Sequence, residues 1–105
     1  MSQSQGKKLK EAIVANKPLK IVGTINAYSA LLAEKEGHEA IYLSGGGVAA
    51  SSLGVPDLGI SSLQDVLIDV ERITNATSVP LLVDADTGWG GAFNIARTVK
   101  SFINY

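Results

Sequence analysis

The sequence contains no cysteine, little net charge and no long apolar run. The absence of cysteine excludes a disulfide scaffold, a thiolate zinc site, an iron–sulfur cluster and a cysteine nucleophile within these residues. No stretch approaches the ~18 apolar residues of a transmembrane helix, and residues 1–10 carry no apolar signal core. Nine Lys and Arg face ten Asp and Glu, which argues against a surface for polyanions. The composition therefore predicts a soluble cytoplasmic protein without nucleic-acid or membrane partners.

Helical and β-branched segments alternate along the 105 residues, a length that suits one domain. We expect residues 1–6 to be a disordered lead and residues 7–105 to form the domain. Hydrophobic periodicity predicts helices at 7–16, 27–36, 62–74 and 92–103. Apolar runs predict strands at 20–25, 39–44 and 79–85. This order predicts an α/β fold with a parallel sheet, and the apolar character of both strand faces predicts helices on both sides.

Helical spacing also predicts which side chains point inward. We expect inward positions at Leu31 and Leu32, at Leu63, Val66, Leu67, Val70 and Ile73, and at Phe93, Ala96, Val99 and Ile103. Ser61 and Gln64 have the spacing of a capping box at the start of the 62–74 helix. Residues 45–59, rich in Gly and Ser, are predicted to form a long loop.

Candidate functional residues cluster after the second and third strands, and functional groups gather at such strand ends in α/β folds. Asp84 and Asp86 are two positions apart, so side-chain alternation on a strand would bring both carboxylates to one face. Two hard oxygen donors suit Mg²⁺, which usually takes one or two carboxylates and keeps several waters. An Asx-turn at Asp86 is the structural alternative.

The second strand ends in Ser44-Gly45-Gly46-Gly47, whose exposed amides could hold a carboxylate or phosphate, or could form a simple flexible turn. Tyr42 shares a strand face with Ser44, which could line a site or pack against a helix. Trp89 is predicted to be a pocket wall or to pack on the neighbouring helix. The run 45–50 fits the dinucleotide pattern G-x-G-x-x-A, but we predict no such site, because no helix is expected to open there at once.

Several runs together resemble the 2-methylisocitrate lyases of the isocitrate lyase and phosphoenolpyruvate mutase superfamily. These runs are IVGTINA at 21–27, YLSGGGVA at 42–49, GVPDLG at 54–59 and LVDADTGWG at 82–90. They occur in the family's order and extend over roughly residues 7–102. The resemblance implies an N-terminal helix plus the first three βα units of a (β/α)₈ TIM-type barrel, incomplete in this chain.

The resemblance also implies a function, which is Mg²⁺-dependent cleavage of the tricarboxylate 2-methylisocitrate into pyruvate and succinate during propionate breakdown. By position, Ser44, Gly45 and Gly46 match substrate-carboxylate contacts, and Asp84 and Asp86 match metal ligands. Tyr42 and Asp57 match residues that line the site. A homotetramer is implied for the complete enzyme.

The sequence departs from this family pattern in two respects. A (β/α)₈ barrel takes about 250 residues, and the cysteine that the family is thought to use as a general acid is absent. We therefore expect an N-terminal portion that is inactive alone, with exposed strand edges and an uncovered apolar layer. One alternative is a non-catalytic truncated remnant or association fragment. Another is a different superfamily member, such as a phosphonopyruvate-handling enzyme or an oxaloacetate decarboxylase.

Overall fold

The computed structural model describes residues 4–105, which alternate between helices and short strands. In chain order the elements are α1 (Gln5–Ala15), β1 (Val22–Gly23), α2 (Ala27–Lys35), β2 (Ile41–Leu43), α3 (Gly45–Gly47), a π-helical segment (Val48–Leu53), α4 (Leu63–Ala76), β3 (Leu81–Val83) and α5 (Ala92–Ile103). Helix α1 begins two residues earlier than predicted, because the Ser4 side chain accepts a hydrogen bond from the Lys7 amide and caps it. Residues 5 and 6 of the predicted lead therefore belong to α1 and Ser4 is its N-cap, while residues 1–3 lie outside the described range.

The three strands form one parallel sheet in the order β1-β2-β3. Val22 pairs with Ile41, and Ile41 pairs with Leu81. Each pair of successive strands is connected through a helix, as parallel pairing requires. The predicted α/β fold with a parallel sheet is therefore confirmed.

The core lies between one face of the sheet and helices α2 and α4. Helix α4 has its predicted inward stripe, of which Leu63, Val66, Val70 and Ile73 are buried and Leu67 is half-buried. Its capping box is formed by Ser62 and Asp65, one residue later than predicted. Helix α2 packs through Ala30 and Ala33, whereas Leu31 and Leu32 are each 46% exposed, so their predicted inward position is wrong.

The opposite face of the sheet is largely open within residues 4–105. Gly23, Tyr42 and Leu82 lie side by side on it in register. Leu82 is 42% exposed, Gly23 is exposed and Tyr42 is half-buried. The prediction of helices on both faces is therefore wrong, and the uncovered apolar layer is present.

Helix α5 also exposes the face that its spacing predicted to be buried. Phe93 is 94% exposed, Ile103 76% and Val99 55%, and Ala96 is exposed as well. Its buried residue is Thr98. Hydrophobic periodicity identifies an apolar stripe but cannot tell whether a neighbouring element covers it. No helix in the described range is long and apolar enough to cross a membrane.

Candidate functional site

A small cleft of about 120 Å³ lies beyond the carboxyl ends of β2 and β3. Its lining residues are Gly45, Asp57, Gly59, Ser61, Asp84, Asp86 and Trp89. Four of the predicted site residues, Gly45, Asp57, Asp84 and Asp86, therefore share one cleft. They come from three separate segments, which the two parallel strands and the connection between them bring to the same edge of the sheet.

The glycine run after β2 is the first turn of a helix, and the helical backbone continues to Leu53. The predicted loop at 45–59 is therefore wrong over residues 45–53. Ser44 caps this helix, because its Oγ accepts a hydrogen bond from the Gly47 amide at 3.2 Å. The Gly45 amide donates to Asp84 Oδ2 at 3.3 Å. No hydrogen bond of the Gly46 amide is found within residues 4–105, so this amide remains a donor for a ligand.

Two carboxylates approach the backbone closely at Gly45 and Gly46, so a side chain at either position would have to displace a carboxylate by a few tenths of an ångström. A Cβ at Gly45 would lie 3.1 Å from Asp84 Oδ2. A Cβ at Gly46 would lie 3.0 Å from Asp57 Oδ2. The helical turn is thus packed between two acidic side chains, one from the loop after the π-helical segment and one from the end of β3.

Asp84 is the acidic residue with the most defined geometry. Its Oδ1 accepts a hydrogen bond from the Asp86 amide at 3.0 Å, and its Oδ2 accepts one from Gly45. The bond to the amide two residues ahead is an Asx-turn, which Asp84 makes rather than Asp86. Each carboxylate oxygen offers about two acceptor positions, so Asp84 retains capacity for a further ligand.

Asp86 lines the cleft, but strand alternation is not the reason. Strand β3 ends at Val83, so strand alternation does not extend to residues 84 and 86. Asp86 instead has φ +47° and is exposed. A left-handed turn therefore brings its carboxylate to the cleft lined by Asp84.

The donor set of this cleft fits Mg²⁺ better than a metal that needs a closed protein cage. Within residues 4–105 no three His, Cys, Asp or Glu side chains are close enough to form such a cage. Asp57, Asp84 and Asp86 nevertheless line the same cleft. Mg²⁺ needs no such cage, because it is commonly held by one or two carboxylates with water and ligand oxygens in its other positions.

The two aromatic candidates, Trp89 and Tyr42, differ in their position relative to the cleft. Trp89 lines the cleft and also stacks on Phe102 of α5, with ring centroids 6.3 Å apart, so both proposed roles apply. Tyr42 lies in the middle of β2 on the open sheet face and is not among the cleft-lining residues. Gly59 and Ser61 also line the cleft. The sequence pattern placed Gly59 in the predicted loop and Ser61 in a predicted capping box, and it indicated a site role for neither.

The dinucleotide pattern is partly met, because a helix does open at once after β2. The expectation that none would open is wrong. The pattern also needs a strand ending in an acidic residue ~20 residues after the glycines, and residues 63–76 there form helix α4. The second requirement therefore fails.

The family sequence pattern of phosphoenolpyruvate phosphomutase matches residues 9–105. With the parallel α/β fold and a strand-end acidic cleft, the chain belongs to the phosphoenolpyruvate phosphomutase family. It is 64% identical over 102 residues to a 2-methylisocitrate lyase of Shewanella oneidensis, covering 97% of this chain and 35% of that protein. It is 65% identical over 101 residues to the 2-methylisocitrate lyase of Escherichia coli, covering 95% of this chain and 34% of the relative.

Solved structures agree with this assignment. An oxaloacetate acetylhydrolase matches with a TM-score of 0.86 and 36% identity, covering 96% of this chain and 36% of that one. A phosphonopyruvate hydrolase in complex with oxalate and Mg²⁺ matches with a TM-score of 0.79 and 29% identity, covering 97% and 36%. The chain thus spans about a third of the length of the relatives it matches.

Proposed function

We propose that this chain provides the metal- and substrate-binding portion of a Mg²⁺-dependent carbon–carbon lyase that cleaves 2-methylisocitrate into pyruvate and succinate. The observation that carries the proposal is the contact between the Asp84 carboxylate and the Gly45 amide, which joins an acidic strand end to a helix-opening glycine turn. The high identity to two proteins named 2-methylisocitrate lyase supports this substrate. We expect the enzyme to be cytoplasmic and to assemble as a homotetramer, built as a (β/α)₈ barrel whose first three βα units lie in this chain.

The residues of the cleft divide into metal-binding and substrate-binding groups. Asp84 and Asp86 would hold Mg²⁺. Ser44 Oγ accepts from the Gly47 amide, so its hydroxyl hydrogen remains free to donate to a substrate carboxylate. The Gly46 amide is a second donor beside it. Asp57 would line the bound substrate within the cleft, and Tyr42 would line it from the open face of the sheet, outside the cleft.

The reaction moves an electron pair and a proton. As the bond breaks, the substrate's hydroxyl oxygen loses its proton and becomes the carbonyl of pyruvate. The bonding electrons remain on a carbon of the succinate part, which then takes up a proton. Mg²⁺, when bound, would act as a Lewis acid that stabilises negative charge on substrate oxygens. The donors of the glycine turn hold the substrate carboxylate so that the breaking bond is aligned.

A chimeric enzyme tests this proposal directly. Residues 4–105 replace the corresponding third of the Shewanella oneidensis lyase, and pyruvate release from 2-methylisocitrate is measured with and without Mg²⁺. We expect Mg²⁺-dependent release at a rate comparable with that of the unmodified relative. A folded chimera that acts on oxaloacetate or phosphonopyruvate but not on 2-methylisocitrate would favour a different superfamily activity.

The 105-residue chain by itself is expected to release no pyruvate at any Mg²⁺ concentration. The groups that we assign bind metal and substrate, but none of them is assigned to remove or return the proton. The same assay applied to the purified chain checks this expectation. Turnover above the uncatalysed rate would show that these residues contain a complete catalytic set.

Gly46→Ala in the chimera is expected to raise the KM for 2-methylisocitrate. The added methyl group would lie 3.0 Å from Asp57 Oδ2 and must displace that side chain. The required shift is a few tenths of an ångström. Because a misplacement of about 1 Å can cost about a hundredfold, we expect the KM to rise roughly two- to fivefold. Gly6→Ala is the matched control, because Gly6 lies in α1 outside the cleft and nothing lies within 4 Å of a Cβ there. Equal KM values for the two variants would contradict the assigned role of Gly46.

A further inference from the structure

The turn from Asp84 to Gly91, called here the aspartate turn, holds two cleft residues in an unusual backbone conformation. Asp86 has φ +47° and Trp89 has φ +60°. Non-glycine residues rarely adopt positive φ, and such conformations persist only where surrounding structure holds them. The Gly88 amide donates to the Ala85 carbonyl at 2.9 Å and closes the turn from within.

Helix α5 contacts the aspartate turn through a buried hydrogen bond. Thr98 of α5 is 5% exposed, and its hydroxyl lies 2.8 Å from the Gly88 carbonyl oxygen and 3.0 Å from that of Asn94. A hydroxyl has a single hydrogen to donate, and the shorter distance favours Gly88 as the acceptor. Gly88 lies between Asp86 and Trp89 in the sequence, so this bond fixes the part of the turn that connects the two cleft residues.

Apolar contacts between α5 and the turn do not fix the orientation of the turn as the Thr98 hydrogen bond does. Gly88 packs against Ile95, and Trp89 stacks on Phe102. These contacts are tolerant of small rotations, whereas a buried hydrogen bond weakens steeply with distance and angle. The remaining apolar face of α5 is exposed, with Phe93 at 94%, so packing elsewhere along the helix adds little constraint in the described residues.

We infer that Thr98 is a positioning residue for the candidate site, because its buried hydroxyl holds the aspartate turn so that Asp86 and Trp89 face the cleft. The inference rests on the proposed function in one respect, which is that Asp86 is taken as a metal ligand. Its structural part stands on the hydrogen bond, the burial of Thr98 and the positive φ values of the two cleft residues.

The single tryptophan of the chain allows a direct test. Trp89 is the only one in the sequence, so intrinsic fluorescence reports on the aspartate turn alone. In the 105-residue chain, Thr98→Val should raise acrylamide quenching of Trp89 and shift its emission to longer wavelength. Thr98→Ser, which keeps the hydroxyl, should retain the parent values. Thr98→Ala replaces Thr98→Val if the added methyl group prevents folding, as judged by circular dichroism.

A buried threonine far from the cleft provides the matched control. Thr77 is 8% exposed, and its hydroxyl oxygen accepts from the Val79 amide at the opposite edge of the sheet. Thr77→Val should therefore leave Trp89 quenching unchanged. Parent-like quenching in Thr98→Val, or an equal change in Thr77→Val, would overturn the inference.

The chimera tests the link to the metal. There Thr98→Val should raise the half-saturating Mg²⁺ concentration ~5-fold, the effect of losing one hydrogen bond, with little change of kcat at saturating Mg²⁺. A general loss of stability would instead lower activity at every Mg²⁺ concentration. If Thr98→Val leaves the half-saturating Mg²⁺ concentration unchanged, the claim that Thr98 positions Asp86 as a metal ligand is overturned. An inactive parent chimera refutes the proposed function, while the fluorescence comparison still decides whether Thr98 positions the turn.

Discussion

Asp84→Ala in the chimeric lyase is expected to reduce Mg²⁺-dependent pyruvate release roughly a thousandfold, because Lewis-acid stabilisation by a bound metal is worth several kcal/mol. Asp84 is placed for this role by two backbone amides, those of Gly45 and Asp86. The substitution would remove a proposed metal ligand and also the hydrogen bond that Asp84 accepts from the Asp86 amide. Initial rates over a Mg²⁺ titration measure the effect.

Two further variants separate the charge of Asp84 from its structural contacts. Asp84→Asn keeps the size of the side chain and can accept one of its two amide hydrogen bonds, so the fold should persist while Mg²⁺-dependent pyruvate release is lost. Glu71→Ala removes an exposed carboxylate on α4, away from the cleft, and should keep full activity. Full activity of Asp84→Ala would refute the metal assignment, whatever the result for the other two.

Ile73→Ala is expected to have the largest effect on stability, lowering the free energy of unfolding by about 2–5 kcal/mol. Ile73 is fully buried in the core cluster between α2, α4 and the sheet. The loss combines the removed apolar contact with the cavity that remains. Since domains have only about 5–15 kcal/mol of stability, the variant should be largely unfolded under mild denaturant.

The same helix contains a matched control for Ile73. Ile68 is 48% exposed on α4, so Ile68→Ala makes the same chemical change without opening a cavity. We expect it to cost less than about 1 kcal/mol. Urea unfolding followed by circular dichroism compares the two variants. Similar midpoints for Ile68→Ala and Ile73→Ala would contradict the described core.

Local sequence signals correctly predicted the order of the three strands and of the helices between them, and the buried stripe of α4. The predicted inward stripe of α4 was confirmed because the sheet and α2 pack against that side of the helix. The predicted inward residues of α2 and α5 were wrong for the opposite reason. Ala30 and Ala33 are small enough for close helix packing, whereas Leu31 and Val99 belong to apolar surfaces that nothing in the described residues covers.

The sequence predicted which residues belong to the candidate site better than it predicted how they are arranged. Asp57, Asp84 and Asp86 meet in one cleft with Gly45. Strand alternation was the wrong reason for Asp86, because the strand ends at Val83 and a positive φ turns the chain. Thr98 has no local signal at all, since its partner Gly88 is ten residues away and only tertiary packing makes the bond.

By itself, the sequence determined the α/β alternation, the parallel sheet and the residue types gathered at the strand ends. These follow from hydrophobic period and from the rule that carboxyl ends of parallel strands share one edge. Only the tertiary structure decided that one sheet face is open, that the glycine run is helical and that Asp84 bonds to Gly45. The physical reason is that burial and hydrogen bonding depend on which distant segments are adjacent, and local propensity does not contain that information.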